Sequence, residues 1–403
     1  MRVLLADKLA PLVAARLQDL GAHVTSEPDL TDDALRARIA EIDPMVLVVR
    51  STKVQKAHLE KGRALSLVIR AGAGVNTIDL EEANNRGIYV ANCPGKNACA
   101  VAELTIGHLV NLDRRIADNV SELRAGRWNK KGFSTARGLN GRTLALIGFG
   151  QIGQEVARRA RSLGMHVRAW SRSLDPDRAR HALVEHAESP EKAVAGADAV
   201  SVHLALTHET RGRIGESVFD AIKPGAYFIN TARAEVVDAA QLARAIEEKD
   251  LRVGLDVFAD EPSGSTGEIT DALAKHPNVY GTHHIGASTT EASEAVGEEV
   301  VAIVAAYQEG RPIPNCVNLA EKTEATHRLV VRHKDEVGVL ASVLEVLRRA
   351  EINVQEMQNT LFGGGAAAVA RIEIVGEPSA ETLAEINQHP LVFDASTAAI
   401  GRR

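Results

Sequence analysis

The feature that most constrains this 403-residue chain is a glycine-rich turn between an apolar run and an amphipathic run. Gly148, Gly150 and Gly153 follow the strand-like sequence TLALI and open the helix-like sequence QEVARRARSLG. In a strand–turn–helix setting, these glycines permit a tight turn, close approach of a pyrophosphate, and close packing of helix on strand. The helix N-terminus also suits the negative charge of a pyrophosphate. The pattern predicts a dinucleotide site that includes Gln151 and Ile152.

Short apolar runs alternate with helix-period segments on both sides of this turn. The strand candidates are RVLLA, MVLVVR, LVIRAG and IYVANC before the turn, and HVRAW, AVSVHL, AYFINTA and VGLDVF after it. This alternation predicts parallel sheets covered by helices. Between the two series, residues 98–125 read as one extended helix. After VYGTHHIGAST, a second long helical pattern is closed by Gly310.

The last part of the chain follows a different order. Residues 327–403 spell strand, helix, strand, strand, helix, strand, which is the ferredoxin-like βαββαβ unit. Gly363, Gly364 and Gly365 would form the turn of its central hairpin. The Pro-containing RPIPNCVN (311–318) and the polar AEKTEAT (320–326) read as the connection to this unit.

Composition excludes several classes of protein. Hydrophobic residues make up 45% and charged residues 25% of the chain, as in ordinary globular proteins. The net charge of −6 provides no basic field for nucleic acid or for a membrane surface. The chain has only three cysteines, no CxxC, no HExxH and no long apolar run, so we expect no disulfide framework, no metal site and a cytoplasmic location.

Three segments near strand ends carry reactive side chains: Asn230–Arg233, Asp256–Pro262 and His283–Thr289. With these segments in this order behind the glycine turn, residues 1–318 resemble the D-isomer-specific 2-hydroxyacid dehydrogenases. Within that family, VVRSTKV (48–54), IRAGAGVNTIDL (69–80) and the C-terminal unit resemble members that act on 3-phospho-D-glycerate.

The resemblance assigns catalytic roles that the chemistry supports. His284 would be the general base for the hydroxyl proton, because imidazole titrates near neutral pH. Glu261 would fix its tautomer, and Arg233 would bind the substrate carboxylate through two N–H groups. The family usually has proline where His283 stands and glycine where Ala234 stands, so the chain departs from the pattern at both positions.

The resemblance also implies the residues that contact the ligands. The cofactor residues would include Ser171, Arg172, His203, Thr231, Ala232, Asp256 and Gly286, and Asp256 would hold the nicotinamide end. The substrate residues would be Arg50, Ser51, Arg70, Gly74, Val75 and Asn97. No carboxylate follows the strand HVRAW to bind the adenosine ribose. NAD and NADP therefore both stay open, with Arg172 either beside a 2′-phosphate or along the adenine.

The predicted fold is α/β, with a Rossmann-type cofactor domain (96–285) inserted in a flavodoxin-like substrate domain (1–95 and 286–318). A linker (319–326) leads to a C-terminal ferredoxin-like domain (327–403) that resembles an ACT domain. There His333, Asp335 and Asn353 match positions that bind L-serine in serine-regulated relatives. The segment Trp128–Lys131 resembles one that pairs two subunits through the cofactor domain, and pairing of the ACT-like domains would give a tetramer.

The resemblance implies hydride transfer from C2 of 3-phospho-D-glycerate to NAD(P), which gives 3-phosphohydroxypyruvate in L-serine biosynthesis. Two alternatives remain. The sequence Ser171-Arg172 and the Ala234-Glu235 pair favour an NADP-linked reductase of glyoxylate or hydroxypyruvate, or another D-2-hydroxyacid dehydrogenase. A dinucleotide-sensing interaction protein is the alternative of another class.

Overall fold

A computed structural model describes residues 1–262, 266–320 and 322–401. The chain divides into two compact units, residues 1–318 and 319–403. Within the described ranges, no helix is both long enough and apolar enough to cross a membrane.

The first sheet of the larger unit is parallel and follows the predicted alternation of strands and helices. Its elements are β1 (Arg2–Leu5), α1 (Pro11–Asp19), β2 (His23–Ser26), α2 (Asp32–Ile42), β3 (Val46–Val49), α3 (Lys56–Leu59), β4 (Leu67–Arg70), α4 (Leu80–Asn85) and β5 (Tyr89–Asn92). The strand order is β2-β1-β3-β4-β5, which is the flavodoxin-like order. The edge strand β2 was not predicted, because its residues are polar or only partly buried.

The predicted single helix over residues 98–125 is wrong, since the chain forms α5 (Ala98–Arg114) and α6 (Ile116–Arg124). Arg115 lies between them in the left-handed region, with φ +52°. The Asn111 side chain accepts a hydrogen bond from the backbone N–H of Ala117 at 2.9 Å, and Arg115 binds Asp118 at 2.9 Å. These side-chain bonds stabilise a break that the apolar spacing does not reveal. The short helix α7 (Lys130–Phe133) follows.

The second sheet has seven parallel strands in the order β12-β11-β10-β9-β6-β7-β8. Its elements are β6 (Thr143–Ile147), α8 (Gln151–Ser162), β7 (His166–Trp170), α9 (Pro176–His181), β8 (Glu185–His186), α10 (Pro190–Val194), β9 (Ala199–Val202), α11 (Glu216–Ala221), β10 (Tyr227–Asn230), α12 (Ala239–Lys249), β11 (Arg252–Leu255) and β12 (Val279–Gly281). The order reverses between β6 and β9, where Rossmann-type sheets bind dinucleotides. The predicted Rossmann-type and flavodoxin-like sheets are both confirmed.

The helix α13 (Thr290–Gln308) follows the second sheet but packs on the first. Its residues Val300, Ile303 and Val304 share a buried core with Val3 and Val13. Beyond α13 the chain runs along β5, where Cys316 bridges to Ala91 and the Asn318 side chain accepts the backbone N–H of Val90. Residues 316–318 are therefore packed against the first sheet and do not form a free connection.

The smaller unit has the predicted βαββαβ order. Its elements are β13 (His327–Lys334), α14 (Val339–Arg349), β14 (Val354–Leu361), β15 (Ala367–Ile374), α15 (Ala380–Asn387) and β16 (Val392–Ala399). The antiparallel sheet has the order β14-β15-β13-β16, which is the ferredoxin-like arrangement. The turn between β14 and β15 contains Gly364 and Gly365, both at positive φ, as the glycine run predicted.

Candidate active site

The glycine turn lies between the end of β6 and the first turn of α8. Gly148 has φ +102°, and a Cβ at that position would collide with the backbone of His203. A Cβ on Gly153 would collide with the carbonyl oxygen of Gly148. Gly150 is open, because no atom lies within 4 Å of the place a Cβ would take. No side chain of the described residues caps the N–H groups at the start of α8, so the turn fits a pyrophosphate.

The other residues predicted to bind the adenosine half of a dinucleotide lie around this turn. Ile152 is half-buried and packs on the core of the sheet, and the Gln151 side chain lies against Gly95. Arg172 follows β7 as predicted, beside Ser171. Its side chain is 85% exposed, and its guanidinium binds Glu209 at 2.7 Å, a partner that the sequence did not suggest.

The residue His203 is half-buried beside the glycine turn. Its Nε2 lies 2.9 Å from the hydroxyl of Ser201, and its Nδ1 has no hydrogen-bond partner among the described residues. Burial lowers the pKa of His203 to about 3, so the ring is neutral at physiological pH. The backbone of His203 closely approaches the turn, and this contact excludes a side chain at position 148.

The predicted base and its carboxylate partner form a pair. His284 Nδ1 donates to Glu261 Oε2 at 2.7 Å, which leaves Nε2 free to accept a proton. Burial raises the pKa of Glu261, but hydrogen bonds from His284 and from the N–H of Phe258 outweigh it and lower the pKa overall. His284 has φ +52°, a conformation that costs a non-glycine residue energy and is common at functional sites.

Asp256 organises the loop that carries His284. It is almost fully buried, and its carboxylate accepts the backbone N–H groups of Ile285 (2.9 Å) and Gly286 (2.8 Å). The hydroxyl of Thr282 donates to it at 2.6 Å and lies 3.2 Å from Nε2 of His108. Sequence reasoning missed Thr282, although it directly follows β12 and ligands of parallel sheets lie beyond the carboxyl ends of the strands. The nicotinamide role of Asp256 stays a prediction.

Three arginines predicted to bind the substrate converge near the ends of the two sheets. A Cβ on Gly74 would lie 2.9 Å from the Arg233 guanidinium. Burial, with the positive charges of Arg233 and Arg50, lowers the pKa of Arg70 to about 10. None of the three forms an ion pair within the described ranges, whereas Arg244 binds three carboxylates. A cluster of positive charges that forms no ion pair with a carboxylate among the described residues suits an anionic ligand.

The remaining predicted residues lie on the same strand ends and loops. Asn97 precedes α5, and its side-chain Oδ1 is buried without a partner among the described residues. Thr231 is buried, with its hydroxyl 3.0 Å from that of Thr105, and Ala232 donates its N–H to the Asn230 side chain. Ser51 donates to Asp7 at 3.1 Å, and the carbonyl of Val75 accepts the N–H of Ile78.

The predicted effector residues of the smaller unit differ in accessibility. His333 is buried, donates from Nδ1 to the carbonyl of Lys334 at 2.7 Å, and lies 3.2 Å from the side-chain amide of Asn359. Asp335 and Asn353 are exposed. Asn359 was not predicted, but it faces His333 across the sheet through β15.

Together these groups can oxidise a hydroxyl next to a carboxylate. The dinucleotide, when bound at the glycine turn, supplies the hydride acceptor. Arg233 would bind the carboxylate and polarise the C2 oxygen. Nε2 of His284 would take the hydroxyl proton, and Glu261 would stabilise the imidazolium that forms. The fold and the site define a dinucleotide-dependent oxidoreductase of α-hydroxy acids.

Comparisons with known proteins identify the family. Residues 106–286 match the family described as D-isomer specific 2-hydroxyacid dehydrogenase, NAD binding domain. The chain is 40% identical over 297 residues to hydroxypyruvate reductase of Thermotoga maritima, covering 73% of this chain and 93% of that protein. The chain belongs to the D-isomer-specific 2-hydroxyacid dehydrogenase family.

Two further comparisons concern phosphoglycerate dehydrogenases. The chain is 38% identical over 321 residues to D-3-phosphoglycerate dehydrogenase 2 of Arabidopsis thaliana, covering 79% of this chain but only 50% of that protein. The chain thus spans about half the length of this curated relative. The NAD⁺-bound 3-phosphoglycerate dehydrogenase structure from Entamoeba histolytica aligns with a TM-score of 0.66 and 25% identity, covering 79% of this chain and 99% of that one.

Proposed function

We propose that the protein oxidises 3-phospho-D-glycerate at C2 to 3-phosphohydroxypyruvate, with NAD(P) as the acceptor. The hydride leaves C2 for the nicotinamide ring, and the hydroxyl proton passes to Nε2 of His284 and then to solvent. The observation that carries this proposal is the cluster of Arg50, Arg70 and Arg233 beside the His284–Glu261 pair. A phosphorylated hydroxyacid brings about three negative charges, which this cluster can balance.

A panel of substrates tests the proposal. Initial rates would be measured with 3-phospho-D-glycerate, D-glycerate, D-lactate and D-2-hydroxyglutarate, each with NAD and with NADP. We expect the highest kcat/KM for 3-phospho-D-glycerate. A preference for D-glycerate would overturn this choice of substrate, and turnover of none would favour a dinucleotide-sensing role.

A reductase of hydroxypyruvate or glyoxylate is the second candidate. It is supported by the similarity to the Thermotoga maritima enzyme across nearly its whole length. It is also supported by Glu235, an exposed carboxylate two residues after Arg233 that would repel a substrate with extra negative charge. Rates of hydroxypyruvate, glyoxylate and 3-phosphohydroxypyruvate reduction in the same preparation distinguish the two candidates.

The choice between NAD and NADP is proposed to depend on Arg172. Its guanidinium is exposed at the end of β7, where a 2′-phosphate would lie, but it pairs with Glu209. A phosphate would therefore have to displace a carboxylate. We expect the protein to bind both cofactors. In fluorescence titrations, Arg172→Ala should weaken the binding of NADPH more than the binding of NADH. Equal effects would place Arg172 along the adenine.

We propose the same assembly and regulation that the sequence suggested: a dimer through the cofactor side of the larger unit, and an ACT-like C-terminal unit. Trp128 is 81% exposed, and α6 has no buried residue, which suits a surface covered by a second subunit. In the smaller unit, exposed Asp335 and Asn353 could meet the amino group of L-serine. Titration of L-serine against activity and by calorimetry tests this, and no effect in either measurement would remove serine as the effector.

A further inference from the structure

A cavity of about 500 Å³ opens beside the first sheet of the larger unit. Its walls are the loop after β1, the residue that follows β3, and the segment from Ser288 into the first turn of α13. The lining residues are Lys8, Leu9, Ala10, Pro11, Arg50, Ser288, Thr289, Thr290, Ser293 and Glu294. The strand order β2-β1-β3-β4-β5 reverses between β1 and β3. Parallel sheets of this order bind ligands at that reversal, beyond the carboxyl ends of the strands.

The charges of this cavity are not balanced internally. Lys8 and Arg50 form no ion pair within the described ranges, although the cavity also contains the carboxylate of Glu294. Asp7 lies next to Lys8, but its carboxylate accepts the N–H groups of Arg50 (2.7 Å) and Thr52 (3.1 Å). Asp7 thus fixes the loop after β3, and the side chains of Lys8 and Arg50 remain available to bind another anion.

The cavity adjoins the candidate active site through a shared residue. Arg50 lines the cavity, and its positive charge also acts on Arg70 in the arginine cluster. Ser288 stands only four residues after His284. The hydroxyls of Ser288, Thr290 and Ser293 can donate hydrogen bonds to phosphate oxygens. Nothing in the sequence motifs pointed to Lys8, because it lies in the first loop, far along the chain from the other site residues.

We propose that Lys8 is a further substrate-binding residue, and that it contacts the distal phosphoryl group of the substrate in this cavity. This inference rests on the proposed function. Arg50 would bind one side of the phosphoryl group and Lys8 the other, while Arg233 holds the carboxylate at the opposite end of the molecule. Glu294 opposes this binding, which limits the affinity for a doubly charged group.

Two variants with opposite expected effects test the subsite. Lys8→Gln removes the cation, and Glu294→Gln removes the anion at the same cavity. We expect Lys8→Gln to lower kcat/KM for 3-phospho-D-glycerate about tenfold, mainly through KM, and Glu294→Gln to raise it several-fold. Changes of this size correspond to one charge several ångströms from a doubly charged group in an open cavity, where water screens the interaction. The kcat/KM for D-glycerate, which lacks the phosphoryl group, should change little in either variant.

Controls separate this inference from the proposed function. Lys61→Gln makes the same change of charge at an exposed lysine that does not line the cavity, and it should change kcat/KM for neither substrate. If Lys8→Gln changes kcat/KM equally for both substrates, or for neither, the assignment of the subsite is overturned. If the wild-type protein oxidises neither substrate, the proposed function fails. Calorimetry with inorganic phosphate then still decides the subsite, because Lys8→Gln must weaken phosphate binding and unchanged binding refutes the assignment.

Discussion

At the scale of single residues, the site depends on carboxylates that position other groups. Glu261 fixes the tautomer of His284 through one hydrogen bond, and Asp256 fixes the backbone that follows it through two. The sequence motifs named all three residues, because strand ends and reactive side chains coincide there. They did not reveal that Asp256 is buried beneath the loop, since that depends on Thr282 and His108, which are distant from it in sequence.

The two adjacent histidines should differ sharply in function. His284→Ala removes the group whose Nε2 would accept the hydroxyl proton, and we expect kcat to fall about 10²- to 10⁴-fold. His283→Ala should change kcat little, because that side chain is exposed and forms no hydrogen bond within the described ranges. Steady-state rates of the two variants with the preferred substrate provide the measurement. A larger loss in the His283 variant would reverse the assignment.

His203 should make the larger unit sensitive to acid. Burial lowers its pKa in the folded protein to about 3, whereas the unfolded chain binds the proton near pH 6.5. The unfolded state therefore binds more protons between these values, and stability falls as pH drops below about 6.5, by up to about 1.4 kcal/mol per pH unit. His108, whose pKa is also lowered by burial, acts in the same direction.

The variant His203→Gln tests this pH dependence. Glutamine keeps a polar group near Ser201 but does not titrate, so the decline of Tm between pH 6.5 and 4.5 should be shallower than in the wild type. The ordinary surface histidine His166 provides the control, since His166→Gln should keep the wild-type slope. Parallel curves for the wild type and His203→Gln would contradict a neutral imidazole at His203 in the folded protein.

At the scale of elements, the strand–turn–helix around the glycines was predictable in full, because the glycine spacing coincides with a strand-like run before it and a helix-like run after it. The break between α5 and α6 was not. Its cause is a set of side-chain bonds around Arg115, including a contact between Asp118 and the hydroxyl of Tyr280 at 2.6 Å. Tyr280 lies on β12, so the end of α5 depends on a tertiary contact that hydrophobic spacing does not show. The short edge strand β8 was missed because it has only two residues.

Two substitutions in the glycine turn should separate folding from cofactor binding. A Cβ on Gly153 collides with the backbone of Gly148, so Gly153→Ala should lower both Tm and dinucleotide affinity. Gly150 has φ −76° and free space around its Cβ position, so Gly150→Ala should leave Tm unchanged. Its methyl group would still stand where a pyrophosphate must approach, and the affinity for NADH should fall about tenfold or more. Thermal unfolding and NADH fluorescence titration measure the two effects. Unchanged affinity for NADH in Gly150→Ala would contradict a pyrophosphate site at this turn.

At the scale of the whole molecule, the chain order explains why the larger unit is one compact body. The first sheet is built from residues 2–92, yet its core requires α13, which begins only after the second sheet is complete. The candidate site lies where the chain passes between the sheets, near Asn97 and again after His284. Strand patterns predicted both sheets, and the family resemblance predicted their nesting. The cavity at Lys8 was not predictable, because three segments distant in sequence form it.

The exposed face of α6 should mediate dimer formation. Ile116 (46% exposed), Val120 (38%) and Leu123 (56%) are spaced four and three residues apart, so they lie on one side of the helix. Three neighbouring apolar side chains on a helix without buried residues indicate a contact surface.

We expect the wild-type protein to be a dimer or a larger even oligomer by light scattering. The double substitution Val120→Glu and Leu123→Glu should shift it toward smaller species, because carboxylates cannot be buried without partners. Leu183→Glu changes another exposed leucine and should leave the mass unchanged, so equal dissociation by both variants would argue against α6 as the interface.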